Sequence, residues 1–233
     1  MDTSGVNFLI RESLLPKSRL NILPYVVFRG TRHIDGPLFK EKYWPKFEGG
    51  NIIETKRGGV LLQVSINDFS KNEDAVNISY IYSRSARRDG QLHRPDREVQ
   101  QATDISGIFF QEVIKLGELE QSFKDALDRE KMRGDRILHW PIRDILVPLD
   151  DLKSLAEKGV LIIGDAGHET PILGGEGANS AVSDTVELAD WISGRRVDGV
   201  SGIYEKRFEE WENEIDESEE SLAGMHSVWR SSL

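Results

Sequence analysis

The chain has 233 residues, enough for one domain or two small ones and for a sizeable apolar core. Thirty Lys and Arg against forty Asp and Glu leave a net charge of −10, which argues against duplex DNA or an anionic membrane surface as partner. Cysteine is absent, so disulfides, thiolate metal sites, cysteine nucleophiles and iron–sulfur clusters are excluded together.

Other bulk features agree. A mean hydropathy of −0.43 with 38% hydrophobic residues suits a globular protein rather than a disordered one. No run approaches the roughly 18 apolar residues of a membrane span. Residues 1–10 show neither the basic nor the apolar region of a secretory signal. A cytoplasmic protein is expected.

The first part of the chain reads as strands. Tyr25-Val26-Val27-Phe28, between Pro24 and Gly30, predicts a short strand. Residues 51–55 precede the turn signal Lys56-Arg57-Gly58-Gly59. In the run that follows, Leu62, Val64 and Ile66 alternate with Gln63, Ser65 and Asn67. Val76, Ile78, Tyr80 and Tyr82 repeat the pattern. An antiparallel meander with one covered face is expected. Residues 84–104 are polar and without period, a long loop.

Two helices are expected next. Thr103 or Ser106 caps the first, which carries Ile108, Phe109, Val113 and Leu116 and stops at Gly117. The second carries Leu119, Phe123, Ala126 and Leu127 and stops at Gly134. Val160-Leu161-Ile162-Ile163 reads as a strand covered on both faces. A helix from about Gly177 places Ala181, Val182, Thr185, Leu188, Ala189 and Ile192 on one side. In the last helix Tyr204, Phe208, Trp211, Ile215 and Leu222 form a stripe opposite a charged, solvated face.

A buried strand running into Gly164-Asp165, a glycine-rich loop and a helix start can bind a ligand. Unpaired N–H groups near Gly177, Ala178 and Asn179 suit an anion or a ring oxygen, glycine permits close approach, and Asp165 can accept from ligand hydroxyls. Glycine after a strand also has a purely architectural use. His168 beside this loop is a candidate general acid or base, or a hydrogen-bonded loop histidine. Gln63 and Tyr80 are candidate pocket residues or ordinary sheet residues. Arg84, Arg87, Arg88 and Arg94 form a solvated basic loop or a gate for an acidic substrate. The five histidines show no metal-ligand spacing, so no metal site is expected, and no Gly-x-Ser-x-Gly occurs.

The string Gly164-Asp165-Ala166-Gly167-His168, Pro171, Gly174, Glu176-Gly177-Ala178-Asn179, Ala181 and Asp184 closely resembles the second flavin-binding motif of the class A flavoprotein monooxygenases. The resemblance implies that Asp165 contacts the ribityl chain of FAD, that the backbone at Gly177, Ala178 and Asn179 lies against the flavin, and that Pro171 lines the substrate site. Gly167 and Ile172 depart from the usual Ala or Val and second Pro. Val6-Asn7 and Leu9-Ile10-Arg11 resemble the tail of the family's other internal motif. There Gly5 and Arg11 match, while Ser4 and Phe8 replace the motif's Asp and Ser.

The Gly-x-Gly-x-x-Gly unit that holds the ADP half of FAD in this family does not occur in the sequence. The expected fold is α+β: a mixed, largely antiparallel substrate domain over 24–134, with helices. Joined to it, over 1–23 and 135–233, is a remnant of the α/β flavin-binding half ending in an amphipathic helix. The first expectation for function is flavin-independent cyclisation or isomerisation of a hydrophobic polyketide or terpenoid intermediate of fungal secondary metabolism, with no cofactor on this chain. The alternative is part of a hydroxylase or epoxidase using FAD, with NADPH as reductant. A third reading is a non-catalytic binder or partner subunit. A homo-oligomer is compatible with each.

Overall fold

The computed structural model describes residues 9–47, 49–72, 74–87, 90–96, 99–173, 177–195 and 199–227. In chain order, helix α1 (Leu9–Leu14) and strand β1 (Asn21–Asp35) lead to α2 (Gly36–Lys42). Strands β2 (Ile52–Arg57), β3 (Val60–Phe69) and β4 (Ala75–Ser85) follow. Next come α3 (Gly107–Ile114), α4 (Gln121–Ala126), α5 (Arg129–Met132) and β5 (Arg136–Leu146). The chain ends with α6 (Leu149–Glu157), the two-residue β6 (His168–Glu169), α7 (Gly177–Ile192) and α8 (Val200–His226). This is a mixed fold of helices and antiparallel sheet, as the sequence predicts.

The chain forms two compact units. One comprises 24–141 and 226–233, the other 1–23 and 142–225. In the first, hydrogen-bonded strands run in the order β2-β3-β4-β1-β5. Gly58 and Gly59, at φ of 57° and 78°, make the two-residue turn between β2 and β3, because both positions of that tight hairpin need a left-handed backbone. The register sets Leu62 opposite Tyr82 and Val64 opposite Tyr80, so the alternating apolar residues share a face. That face joins Val26, Phe28, Phe109, Val113 and Phe123 in one core. Phe28 stacks on Phe109 with ring centroids 3.8 Å apart.

Several elements differ from the sequence reading. The short strand at Tyr25–Phe28 is the middle of the fifteen-residue β1. The second predicted helix divides into α4 and α5, because Asp128 Oδ1 accepts from Lys131 N–H at 3.0 Å and starts a new turn. Ser106 caps α3 through its side chain.

In the other unit, Ile145, Val147, Leu152, Leu155, Ile162, Ala166, Tyr204 and Trp211 share a core. The predicted strand at 160–163 is there a single bridge at Ile162. Ile162 N–H donates to Tyr204 Oη at 3.0 Å and Tyr204 Oη donates to Ile162 O at 3.2 Å, so a side chain meets the backbone demand that a strand neighbour would meet. Helix α7 buries Ser180, Asp184 and Leu188, whereas Val182, Thr185, Ala189 and Ile192 of the predicted apolar side are exposed. The stripe of α8 is as expected, with Tyr204, Trp211, Ile215 and Leu222 buried.

Candidate functional site

The site grows from a tight turn. Ile163 is extended, and Gly164 then enters the left-handed region at φ 60°, opening a 3-10 turn over Gly164–Ala166. A Cβ at Gly164 would lie 3.2 Å from Ala181 Cβ, so the turn needs glycine for packing as well as for conformation. Its N–H donates to Asp184 Oδ2 at 2.9 Å, fixing the turn against α7. Strand β6 follows, pairing antiparallel with Ile145 and Leu146 of β5. Successive side chains on a strand point to opposite sides, so His168 and Glu169 face different surroundings.

His168 faces inward. It is 1% exposed, stacks on Trp211 at 4.2 Å and places Nε2 2.5 Å from Asp184 Oδ2. Asp184, fully buried, also accepts from Trp211 Nε1 at 3.2 Å and from Arg207 Nε at 3.4 Å. Burial alone would raise the Asp184 carboxyl. Hydrogen bonding and charge from His168, the Gly164 N–H and Arg207 outweigh that and hold it below the usual carboxylate range.

Glu169 faces a cavity of about 410 Å³. Asp165, Glu169, Thr170 and Pro171 line one side, and Gly177, Ala178, Ala181 and Thr185 of α7 the other. A Cβ at Gly177 would meet Thr170 Oγ1 at 3.3 Å and Asp165 Oδ1 at 3.7 Å, so glycine lets the first turn of α7 approach the carboxylate. Burial pushes the Glu169 carboxyl up, Arg143 opposes this, the Asp165 charge adds to it and Arg11 opposes it. The net result is about 7.

The structure thus brings together Gly164, Asp165, Pro171, Gly177 and Ala178 around one cavity. Asn179 is exposed on the same first turn of α7 and does not line it. Arg11 is fully buried and donates from Nη1 to Ala166 O at 2.9 Å, which places it behind the turn. Desolvation lowers its pKa. His168 does not line the cavity; the pull of Asp184 and Trp211 turns it into the core. Of the predicted pocket trio, Pro171 lines the cavity while Gln63 and Tyr80 belong to the other unit. Tyr80 is 1% exposed and donates to Asp135 Oδ2 at 2.8 Å, and Gln63 sits in the β3 ladder opposite Glu54 and Ile81. Ser4, Gly5, Val6, Asn7, Phe8, Arg88, Gly174 and Glu176 lie outside the described residues.

Glu169 and Thr170 were not singled out in the sequence. The period-2 alternation after a glycine turn is a usable signal, since with His168 inward its neighbour must face the other way. In the sheet unit, a second cavity of about 280 Å³ is lined by Arg57, Tyr82, Arg87, Glu112 and Lys115. The basic loop is partly architectural there. Arg84, 2% exposed, binds both oxygens of Glu112 at 2.7 and 2.9 Å, and Tyr82 Oη donates to the same carboxylate at 2.8 Å. Among the described residues no cluster of His, Asp and Glu has metal-site geometry. No helix among them is long and apolar enough to cross a membrane.

Residues 133–198, which contain this turn, cavity and helix, match the family described as FAD binding domain. The FAD-dependent monooxygenase nscC of Arthroderma otae is 32% identical over 189 residues, covering 81% of this chain and 45% of the relative. The FAD-dependent monooxygenase adaC of Aspergillus niger is 25% identical over 233 residues, covering 97% of this chain and 56% of its own length. The chain is related to the FAD-dependent monooxygenases. It spans about half the length of the curated relatives it matches. Among solved structures, 2,6-dihydroxypyridine-3-hydroxylase from Arthrobacter nicotinovorans superposes with a TM-score of 0.65 at 16% identity, covering 98% of this chain and 58% of that one. That likeness concerns the fold.

Proposed function

We propose that this chain provides the flavin-facing and substrate-facing part of an FAD-dependent monooxygenase acting on a hydrophobic small molecule, with NADPH as reductant, in fungal secondary metabolism. The supporting observation is that Asp165, Pro171 and Gly177 converge on one cavity inside the segment that matches the FAD binding domain. A cavity near 410 Å³ holds a body the size of a flavin ring system or a small polycycle. The residues present fit that portion of FAD. Exposed Asp165 is an acceptor for ribityl hydroxyls, and the α7 N-terminus at Gly177 offers N–H groups to ring oxygens across a space that a Cβ would fill. Bound there, FAD would supply the redox chemistry with oxygen. The chain's own residues hold and orient it and shield one face from water.

Titration of FAD by fluorescence quenching tests this reading. Saturable binding is expected for the unaltered chain. Asp165→Ala should weaken it roughly tenfold or more, the scale of a hydrogen bond to a charged group. Gly177→Val should do the same with an unchanged far-ultraviolet circular dichroism spectrum, since its methyls enter the cavity. Absence of saturation at accessible FAD concentrations would overturn the reading.

A second reading, cyclisation or isomerisation without flavin, is supported by one observation. Two carboxyls, Asp165 and Glu169, share the cavity and could exchange protons with a bound intermediate. FAD-independent conversion of a pathway intermediate, abolished by removing either carboxyl, would select it.

A further inference from the structure

We propose that Glu169 contacts the ligand of this cavity as a carboxylic acid, donating its proton in a hydrogen bond to an acceptor on the ligand: a carbonyl oxygen, a ring nitrogen or a phosphoryl oxygen. The inference rests on the reading of the cavity as a ligand site and adds the polarity of one of its walls. No part of the flavin-binding resemblance assigns this residue.

Geometry carries the argument. Strand alternation aims Glu169 away from the core, into the cavity, opposite to His168. Its side chain is only 16% exposed, and Oε2 is buried with no well-formed hydrogen bond among the described residues. Arg143 Nε, reaching from β5, lies 3.5 Å from that oxygen as an ion pair, and its charge and hydrogen bonding favour the ionised form but are outweighed by burial and the Asp165 charge. Arg11 on α1 adds a more distant positive charge, and its Nη1 already donates to Ala166 O. The 3-10 turn contributes the negative charge of Asp165 to the same cavity. His168, on the other side of β6, is held by Asp184 and Trp211.

Two ionised carboxylates in one half-enclosed, partly apolar space repel each other and offer only acceptors. Protonating Glu169 removes the repulsion and gives the wall one donor. Its buried oxygen then lacks only the partner that a ligand acceptor supplies. The carboxyl with a midpoint near 7 fills this role at neutral pH, while exposed Asp165 remains the acceptor. The cavity therefore suits a ligand that presents an acceptor to Glu169 and a hydroxyl to Asp165.

The sign of the pH dependence follows. Binding that requires the protonated form is complete below the Glu169 midpoint and is lost as pH rises through it. With FAD as probe, the unaltered chain should lose roughly tenfold or more in affinity between pH 7 and pH 8.5. Glu169→Gln keeps an uncharged donor and cannot ionise, so its affinity should change less than about twofold over the same range. Equal pH profiles for the two proteins, or an affinity that rises with pH, would overturn the proposal.

If FAD fails to saturate at any pH, the flavin reading fails, and the state of Glu169 is decided by carbon-13 NMR of carboxyl-labelled glutamates. The resonance missing in Glu169→Gln should titrate near pH 7 and move to lower pH in Asp165→Asn. The second variant supplies the assignment if the first does not fold. A midpoint in the ordinary range, about 4.3, would remove the donor and the proposal with it.

Discussion

Replacing Asp184 with alanine is expected to destabilise the unit that holds the cavity by about 3–5 kcal/mol, the cost of breaking a buried ionic cluster from one side. The carboxylate is fully buried and accepts four hydrogen bonds, from Gly164 N–H, His168, Arg207 and Trp211. Its removal leaves the Arg207 cation, 10% exposed, with Ser180 and Glu210 as remaining partners, and leaves the Gly164 N–H and the Trp211 indole N–H without an acceptor. Each orphaned donor adds to the loss. Urea titration followed by circular dichroism measures the effect, and a shift of less than about 1 kcal/mol would show that water or a neighbour replaces the carboxylate. Because the folded pKa of Asp184 is held below its unfolded value, its contribution is present above the unfolded pKa and fades as pH falls through the folded one. The gap between the wild type and Asp184→Ala should therefore narrow in acid.

The cluster also shows why the cavity was only half legible in sequence. Gly164, Asp165 and Gly177 announce themselves because a turn at positive φ and a close helix start demand particular residues at fixed spacing, whereas Pro171 was marked only by the resemblance to the flavin-binding motif. Asp184 sits mid-helix on what the hydrophobic pattern marks as a polar face. Its burial depends on Arg207 and Trp211, more than twenty positions along the chain, and no local pattern reports such a partner. The same long-range pairing turns the buried face of α7: Leu188 of the predicted apolar side faces inward together with Ser180 and Asp184, while Val182 and Ile192 of that side face out. His168 follows suit. Beside a glycine loop it reads as a candidate proton carrier, but an indole stack and a buried carboxylate turn it into the core.

Strand β5 and helix α6 escaped the sequence reading for different reasons. In β5, Ile137, His139, Ile142, Asp144 and Ile145 are buried, so polar residues occupy inward positions and Pro141 interrupts the alternation. Burial raises the Asp144 carboxyl to about 6, with Asn21 as its hydrogen-bond donor at 3.2 Å. Helix α6 is nine residues long, and its inward set of Leu152, Leu155 and Ala156 is too short to stand out from the acidic residues around it. By contrast the pairing of the meander was readable, since Leu62, Val64, Val76, Ile78, Tyr80 and Tyr82 alternate toward one core, whereas the burial of Leu61, Ser79 and Ser83 shows that the opposite face, expected open, is partly covered as well.

The second large effect is expected at Gly30. Glycine inside a strand usually costs stability, and here the register explains it: Gly30 of β1 lies directly opposite Tyr80 of β4, whose ring covers the bare backbone. A Cβ at Gly30 would fall 2.0 Å from Tyr80 Cζ and 2.2 Å from Oη, far inside contact distance. The ring is not free to yield. Its hydroxyl donates to Asp135, Arg32 lies over its face 5.6 Å from the centroid, and the Arg32 Nη2–Asp135 pair at 2.5 Å closes the group. Relief by rotating Tyr80 would break those bonds in the buried core of the sheet unit, while relief by moving β1 would strain the ladder to β4. Gly30→Ala should therefore cost about 3 kcal/mol, the upper end of overpacking penalties, despite adding a single methyl. The double variant Gly30→Ala with Tyr80→Ala provides the check. If the clash with the ring is the cause, alanine at 30 should cost less than about 1 kcal/mol in the background that lacks the ring. An undiminished cost in that background would place the penalty in the backbone of β1 instead.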